Sequence, residues 1–219
     1  MNEETLQRIY RTYGIENWSA GYFGVSQTGN MVVHPSMNDA RWVDIKNVVD
    51  HLVHEKKLSL PILLRFPQIL TNQLKILTSA YRDSIEQFGY NAKHFPVFPM
   101  KVNPRREVVE EFLKETGRYR VGLECGSKAE LFAAIAQDQT PESLLICNGF
   151  KDESFCRLAL LGVQSGKRVV VVIEKANELR ILMRVCNELG VYPWIGLRAK
   201  LYTRGSGKWA SSGGDSAKF

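Results

Sequence analysis

From about residue 58 onward, short apolar β-rich runs alternate with helical patterns. That alternation commits the chain to βα units around a parallel sheet. The run RVVVVIE (168–174) is the clearest strand, apolar on both faces as a strand covered on both sides must be. Further strands are predicted at 60–66, 94–103, 121–126, 144–150 and 194–200. Between them lie 3.6-residue stripes. Leu70, Leu74, Leu77, Tyr81, Ile85 and Phe88 form one, stopped by Gly89; Leu179, Leu182, Val185, Cys186 and Leu189 form another, stopped by Gly190. Helices are also predicted over 106–115, 128–137 and 152–164.

Six strands and five helices make up most of a (β/α)₈ TIM barrel, the preferred α/β architecture. A doubly wound sheet is the alternative, but no GxGxxG turn follows the first strand. The barrel is expected to be incomplete, with about six of eight strands, because a seventh unit would only be starting at the final SAKF. Two open strand edges are a liability for a finished fold, so a truncated chain is expected. Residues 1–57 read as an extension: two short strands at 22–26 and 31–34 around a Thr28-Gly29-Asn30 turn, then a lead-in helix over 44–57. This β segment would belong to a β-domain otherwise missing, and 58–219 would be the partial barrel.

Composition excludes several classes. The net charge of +6 is spread along the chain without a basic stripe, which argues against a nucleic-acid binder. No apolar run approaches the roughly 20 residues needed to span a bilayer, and the N-terminus lacks a signal-peptide layout, so no membrane association and a cytoplasmic location are expected. Cys125, Cys147, Cys156 and Cys186 form no CxxC pair and are predicted to be buried free thiols. His51 and His54 share a helix face without a third ligand, so no metal site is predicted.

In a βα barrel the chemistry collects at the C-terminal strand ends. There the sequence places Lys101, Glu124, Lys128 with Glu130, Asn148, and Arg198 with Lys200. A lysine inside an apolar strand is costly unless paired or used, and desolvation favours its neutral, nucleophilic form. Lys101 therefore reads either as an ion-pair partner or as a Schiff-base lysine. Glu124, Glu130 and Arg198 offer charges that would orient a cofactor, or else form a solvated rim network. The stretch 202–215 (YTRGSGKWASSGGD) is predicted to be a loop, with a mobile lid preferred over a phosphate cradle, since GxxxxGK[ST] spacing is absent.

The strings YGIENWSAGYFGV, FPQIL, FPMKVNP, GLECGSKAEL, LLICNGFKD, VVIEK and GSGKWASSGGDSAKF, in this order, closely resemble biosynthetic arginine decarboxylases of the bacterial and plant type. These are fold-type III pyridoxal-phosphate enzymes, with barrels of the alanine racemase type. The resemblance implies that Lys101 is the cofactor's Schiff-base lysine and that Glu124 is the acidic residue beside the cofactor. It further implies that Glu130 and Arg198 are a charged pair near the ring and that Asn148 is a barrel-mouth residue. Gly205, Ser206, Gly207, Lys208 and Trp209 would belong to the active-site loop. L-arginine would be the substrate, agmatine and carbon dioxide the products, and polyamine biosynthesis the setting. Magnesium enters by resemblance alone, as does homo-oligomeric assembly of the full-length enzyme. In the family, the ring-stacking histidine, the glycine-rich phosphate loop, the acidic partner of the pyridine nitrogen and a cysteine-bearing segment come later. A chain without them is expected to hold cofactor poorly and to turn over almost nothing. Alternatives are a stand-alone cofactor-binding barrel, or a non-catalytic remnant associating with a full-length subunit.

Overall fold

The computed structural model describes residues 1–37, 41–199 and 206–209. The chain divides into two compact units, Met1–Ala80 and Tyr81–Phe219.

In the first unit, helix α1 (Glu3–Tyr13) starts at Asn2, whose side chain accepts from the Thr5 amide, and ends at Gly14 in the left-handed region. A short helix α2 (Ile15–Ser19) leads into β1 (Phe23–Val25), β2 (Met31–Val33) and β3 (Val43–Asp44). These strands form an antiparallel sheet in the order β1-β2-β3, with Phe23 opposite Val33 and Val32 opposite Asp44. The two predicted strands thus exist and find a third partner within the chain itself. Asp44 then caps helix α3 (Ile45–Asp50) by accepting from the Asn47 amide at 3.1 Å. One π-helical turn, His51–Glu55, follows, and there His51 Nδ1 lies 2.9 Å from Glu55.

The segment 60–66 is not a strand. Its pattern suits a buried strand, but Pro61 has no amide to donate, and Leu60 and Leu63 stand 66% and 74% exposed. Helix α4 (Pro67–Gln87) follows; within the first unit, Asn72 and Gln73 donate to the Tyr22 hydroxyl at 2.7 and 2.9 Å.

The second unit carries a five-stranded parallel sheet rather than six strands. It runs through β4 (Val97–Pro99), helices α5 (Arg106–Leu113) and α6 (Thr116–Tyr119), β5 (Gly122–Cys125), α7 (Lys128–Ile135) and β6 (Leu144–Cys147). Helix α8 (Glu153–Gln164), β7 (Arg168–Ile173), α9 (Ala176–Leu189) and β8 (Trp194–Leu197) complete it. The spatial order is β4-β5-β6-β7-β8, so every described crossover joins adjacent parallel strands. This is the wall of an incomplete (β/α)₈ barrel.

Strand residues alternate between two faces. Leu123, Leu145 and Val169 align across the sheet, as do Cys125, Cys147 and Val171, and all six are buried. They pack with Val109 and Leu113 of α5, Leu131 of α7, Phe155 and Leu160 of α8, and Leu182 and Val185 of α9. Val97, Pro99, Glu124, Ile146 and Val172 occupy the alternate positions and face a cleft. All four cysteines are buried free thiols, and burial pushes Cys147 up to about 12 and Cys156 to about 11. No helix among the described residues is long and apolar enough to cross a membrane.

Asp152 starts α8 and ties it to α7. Its carboxylate accepts from the Lys128 ammonium at 2.7 Å, the Phe155 amide at 2.8 Å and the Ser154 hydroxyl at 2.8 Å. These donors, Lys128 foremost, hold its pKa at about 2 instead of 3.8. A depressed folded-state value means the stabilisation is complete above the unfolded pKa and is lost as pH falls through the folded one. Asp152→Ala should therefore cost about 1 kcal/mol at pH 7, the usual worth of a helix cap with a partly exposed, solvent-screened ion pair. Urea midpoints of the two proteins should differ by a constant amount above pH 4 and converge between pH 4 and 2. A gap that persists at pH 2 would refute the assignment.

Candidate active site at the strand ends

The cleft, about 1050 Å³, opens at the C-terminal ends of the five strands. Its lining includes Lys101, Glu124, Glu130, Asn148 and Arg198, so the structure brings together the five residues that the resemblance places near the cofactor, whereas Lys128, also at a strand end, is not part of the lining. Gly126, Gly149 and Glu174 join them.

Lys101 reaches the cleft by a different route from the one its sequence context suggested. The 94–103 run is a strand only at Val97–Pro99; Pro99 ends it, and Lys101 stands exposed in the turn that follows. Burial in an apolar strand is thus not what sets Lys101 apart. Its distinction is position, with a flexible amine at the mouth of the cleft.

Glu124 lies on the cleft face of β5. Asn148, just past β6, donates its side-chain amide to Glu124 Oε1 at 2.9 Å, and the Asn148 backbone amide donates to the Cys125 carbonyl at 2.8 Å. Glu124 Oε2 is buried with no hydrogen-bond partner among the described residues. A buried carboxylate oxygen left unmatched is a place for a ligand donor. Glu130, in the first turn of α7, accepts from the Gly126 amide at 2.6 Å and so fixes the loop after β5. Arg198, just past β8, donates from Nη1 to Glu174 Oε1 at 3.2 Å, and its backbone amide bonds the Ile173 carbonyl at 3.1 Å. Glu174, just past β7, is thus a carboxylate that holds Arg198.

Sequence reading missed the lysine that is truly buried. Lys151 is 1% exposed, donates to the Gly149 carbonyl at 2.5 Å, and lies 3.7 Å from Glu174 and 3.5 Å from Glu178. It sits in NGFKD, between an apolar strand and a helix cap, and that context gives no periodic sign of burial. Gly149 has φ +79°, and a Cβ there would meet the Gly126 carbonyl oxygen at 2.1 Å.

Of the stretch 202–215 predicted to be a loop, the structure describes residues 206–209. Gly207–Trp209 form a single 3₁₀ turn, and Ser206, Gly207 and Lys208 are exposed. Residues 200–205, with Lys200 and Gly205, and the stretch 210–215 lie outside the described residues. Among the described residues, no group of three or more His, Cys, Asp or Glu side chains is placed to hold a metal ion.

The cleft suits pyridoxal phosphate. At about 1050 Å³ it slightly exceeds the roughly 300–1,000 Å³ usual for small-molecule sites. A reachable amine, an unmatched carboxylate oxygen and a guanidinium line one opening. Comparison with known proteins agrees. Residues 74–219 match the family described as pyridoxal-dependent decarboxylase, pyridoxal binding domain. The chain is 44% identical over its whole length to a biosynthetic arginine decarboxylase of Bacteroides thetaiotaomicron, of which it covers 34%. It is 45% identical, over 94% of its length, to one from Deinococcus radiodurans, of which it covers 31%. The crystal structure of the biosynthetic arginine decarboxylase SpeA from Campylobacter jejuni superposes with a TM-score of 0.77 at 28% identity, covering 88% of this chain and 32% of that one. The chain thus spans about a third of the length of the curated relatives it matches.

Proposed function

Because the chain belongs to the pyridoxal-dependent decarboxylase family through its pyridoxal-binding domain, we propose that it forms the cofactor-holding part of an arginine decarboxylase. The reaction would convert L-arginine to agmatine and carbon dioxide, a step that feeds polyamine synthesis. The observation that carries this reading is the cleft, where Lys101, Glu124 and Arg198 meet around one opening.

Each residue has a task that its surroundings support. Lys101 supplies a primary amine at the cleft mouth to hold the cofactor's aldehyde carbon. Glu124, with one oxygen fixed by Asn148, turns its unmatched Oε2 toward a donor on the ligand. Arg198, oriented by Glu174, presents positive charge from the opposite side of the opening. Glu130 keeps the loop after β5 in place through the Gly126 amide. When bound, pyridoxal phosphate supplies an electron sink for the bond to the departing carboxylate. Magnesium rests on the family resemblance alone, as does homo-oligomeric assembly. Four buried free thiols fit a reducing, cytoplasmic setting.

Two measurements test the proposal. Borohydride reduction of the chain with pyridoxal 5'-phosphate, followed by peptide mapping, should leave the label on Lys101; a label confined to another lysine rejects the site. L-arginine should change the absorbance of the bound cofactor where L-ornithine, L-lysine and diaminopimelate do not. An equal response to ornithine removes the substrate assignment.

A further inference from the structure

A lysine with no exposed side-chain surface needs a reason, since its charge is far better solvated by water. Lys151 does not line the cleft, and its partners come from two strand-end loops and the start of the helix that follows the second. Its ammonium donates to the Gly149 carbonyl in the loop after β6. It faces Glu174 in the loop after β7, and Glu178 in the first turn of α9. Glu178 is itself 2% exposed, and its Oε2 accepts from the Glu174 amide at 2.9 Å and the Lys175 amide at 3.2 Å. The Glu174 oxygen facing Lys151 is the same Oε1 that receives Arg198 just past β8. Two carboxylates and two cations therefore alternate from the core to the cleft, so the cluster carries no net charge. Gly149, Glu174 and Arg198 all line the cleft, while Lys151 does not.

We propose that Lys151 is a positioning residue: its buried charge clamps the loops after β6 and β7 together and, through Glu174, sets where Arg198 stands in the cleft. The last part rests on the cofactor-holding role proposed above. Without Lys151, Glu174 loses the cation behind it and gains nothing by staying buried at 8% side-chain exposure, so it swings toward water and takes Arg198 with it. A network of this kind acts as a unit, with effects that do not add.

The test uses the whole chain and two readouts. Lys151→Met alone strands Glu178 and can unfold the protein, so the informative variant is Lys151→Met with Glu178→Gln, which removes one charge of each sign from the core. Hydrogen exchange should quicken about tenfold or more at residues 148–151, 174–175 and 198 while the β6 and β7 amides keep their protection. The dissociation constant for pyridoxal 5'-phosphate, read by absorbance titration, should rise about tenfold or more. Exchange that is unchanged, or that quickens everywhere alike, overturns the proposal, because the lysine is then either idle or merely part of the core. If exchange is localised but wild-type chain takes up no pyridoxal 5'-phosphate, the clamp stands and the cofactor reading fails. If the double variant does not fold, Glu174→Gln at the cleft wall decides. Wild-type exchange and wild-type affinity in that variant remove the link through which Lys151 would act.

Discussion

Lys101→Ala will abolish covalent capture of pyridoxal phosphate: borohydride treatment that labels the wild-type chain will leave the variant unlabelled. The effect should be all-or-none, because among the described residues Lys101 is the lysine that lines the cleft. Among the lysines described near the cleft, Lys151 is buried outside its lining, and Lys128 is committed to Asp152 and Ser154 across the tops of α7 and α8. The fold should barely notice. Lys101 is exposed in a turn, and exposed substitutions typically change stability by about 0.5 kcal/mol or less, about 2 °C in Tm for a chain of this size. Labelling of the variant at wild-type yield, or a large fall in Tm, would show that the lysine has some other role.

Gly149→Ala should do the opposite, damaging fold and cleft together. At φ +79° an L-residue is strained, and the added Cβ would lie 2.1 Å from the Gly126 carbonyl oxygen and 2.8 Å from its carbon. Backbone on both sides leaves no flexible side-chain end to yield. Left-handed strain of about 1–2 kcal/mol, together with the displacement of one loop by the other, should bring the loss to about 3–5 kcal/mol. Gly89→Ala is the control, since Gly89 also has positive φ (+57°) but nothing within 4 Å of its Cβ. It should lose only the strain. Urea denaturation of the two variants separates the terms, and equal losses would mean that the contact between Gly149 and Gly126 carries no weight.

The central part of the chain was legible because its signals are periodic. RVVVVI alternates buried and half-buried residues along β7, and the α9 stripe ends at Gly190 in the left-handed region, as its pattern required. The two short N-terminal strands were legible from their turn; their third partner, Val43–Asp44, is two residues long and has no pattern to show. Residues 60–66 misled because composition alone does not reveal whether a partner strand exists. The site was legible as a set of strand-end residues, since the barrel topology brings such ends together. The reason attached to Lys101 was wrong, because three prolines between 96 and 104 break the apolar run that seemed to bury it. Lys151 and Glu174 stayed hidden for the converse reason. Their burial arises from two strand-end loops meeting the start of α9, and meeting is a property of the fold rather than of any one segment.

The cysteines give the experimenter a built-in clock. Cys125 and Cys147 sit side by side on β5 and β6, and Cys156 and Cys186 lie on the inner faces of α8 and α9, all closed off from water. A thiol reagent reacts with the thiolate, which burial suppresses at every one of them. The native chain should therefore react slowly, at the rate at which this layer opens, with the four thiols modified together rather than one by one. A single fast-reacting thiol at neutral pH would mean that sheet and helices separate locally. Measured with and without pyridoxal 5'-phosphate, the same rate reports whether filling the cleft on one face of the sheet tightens the packing on the other, with no engineered label.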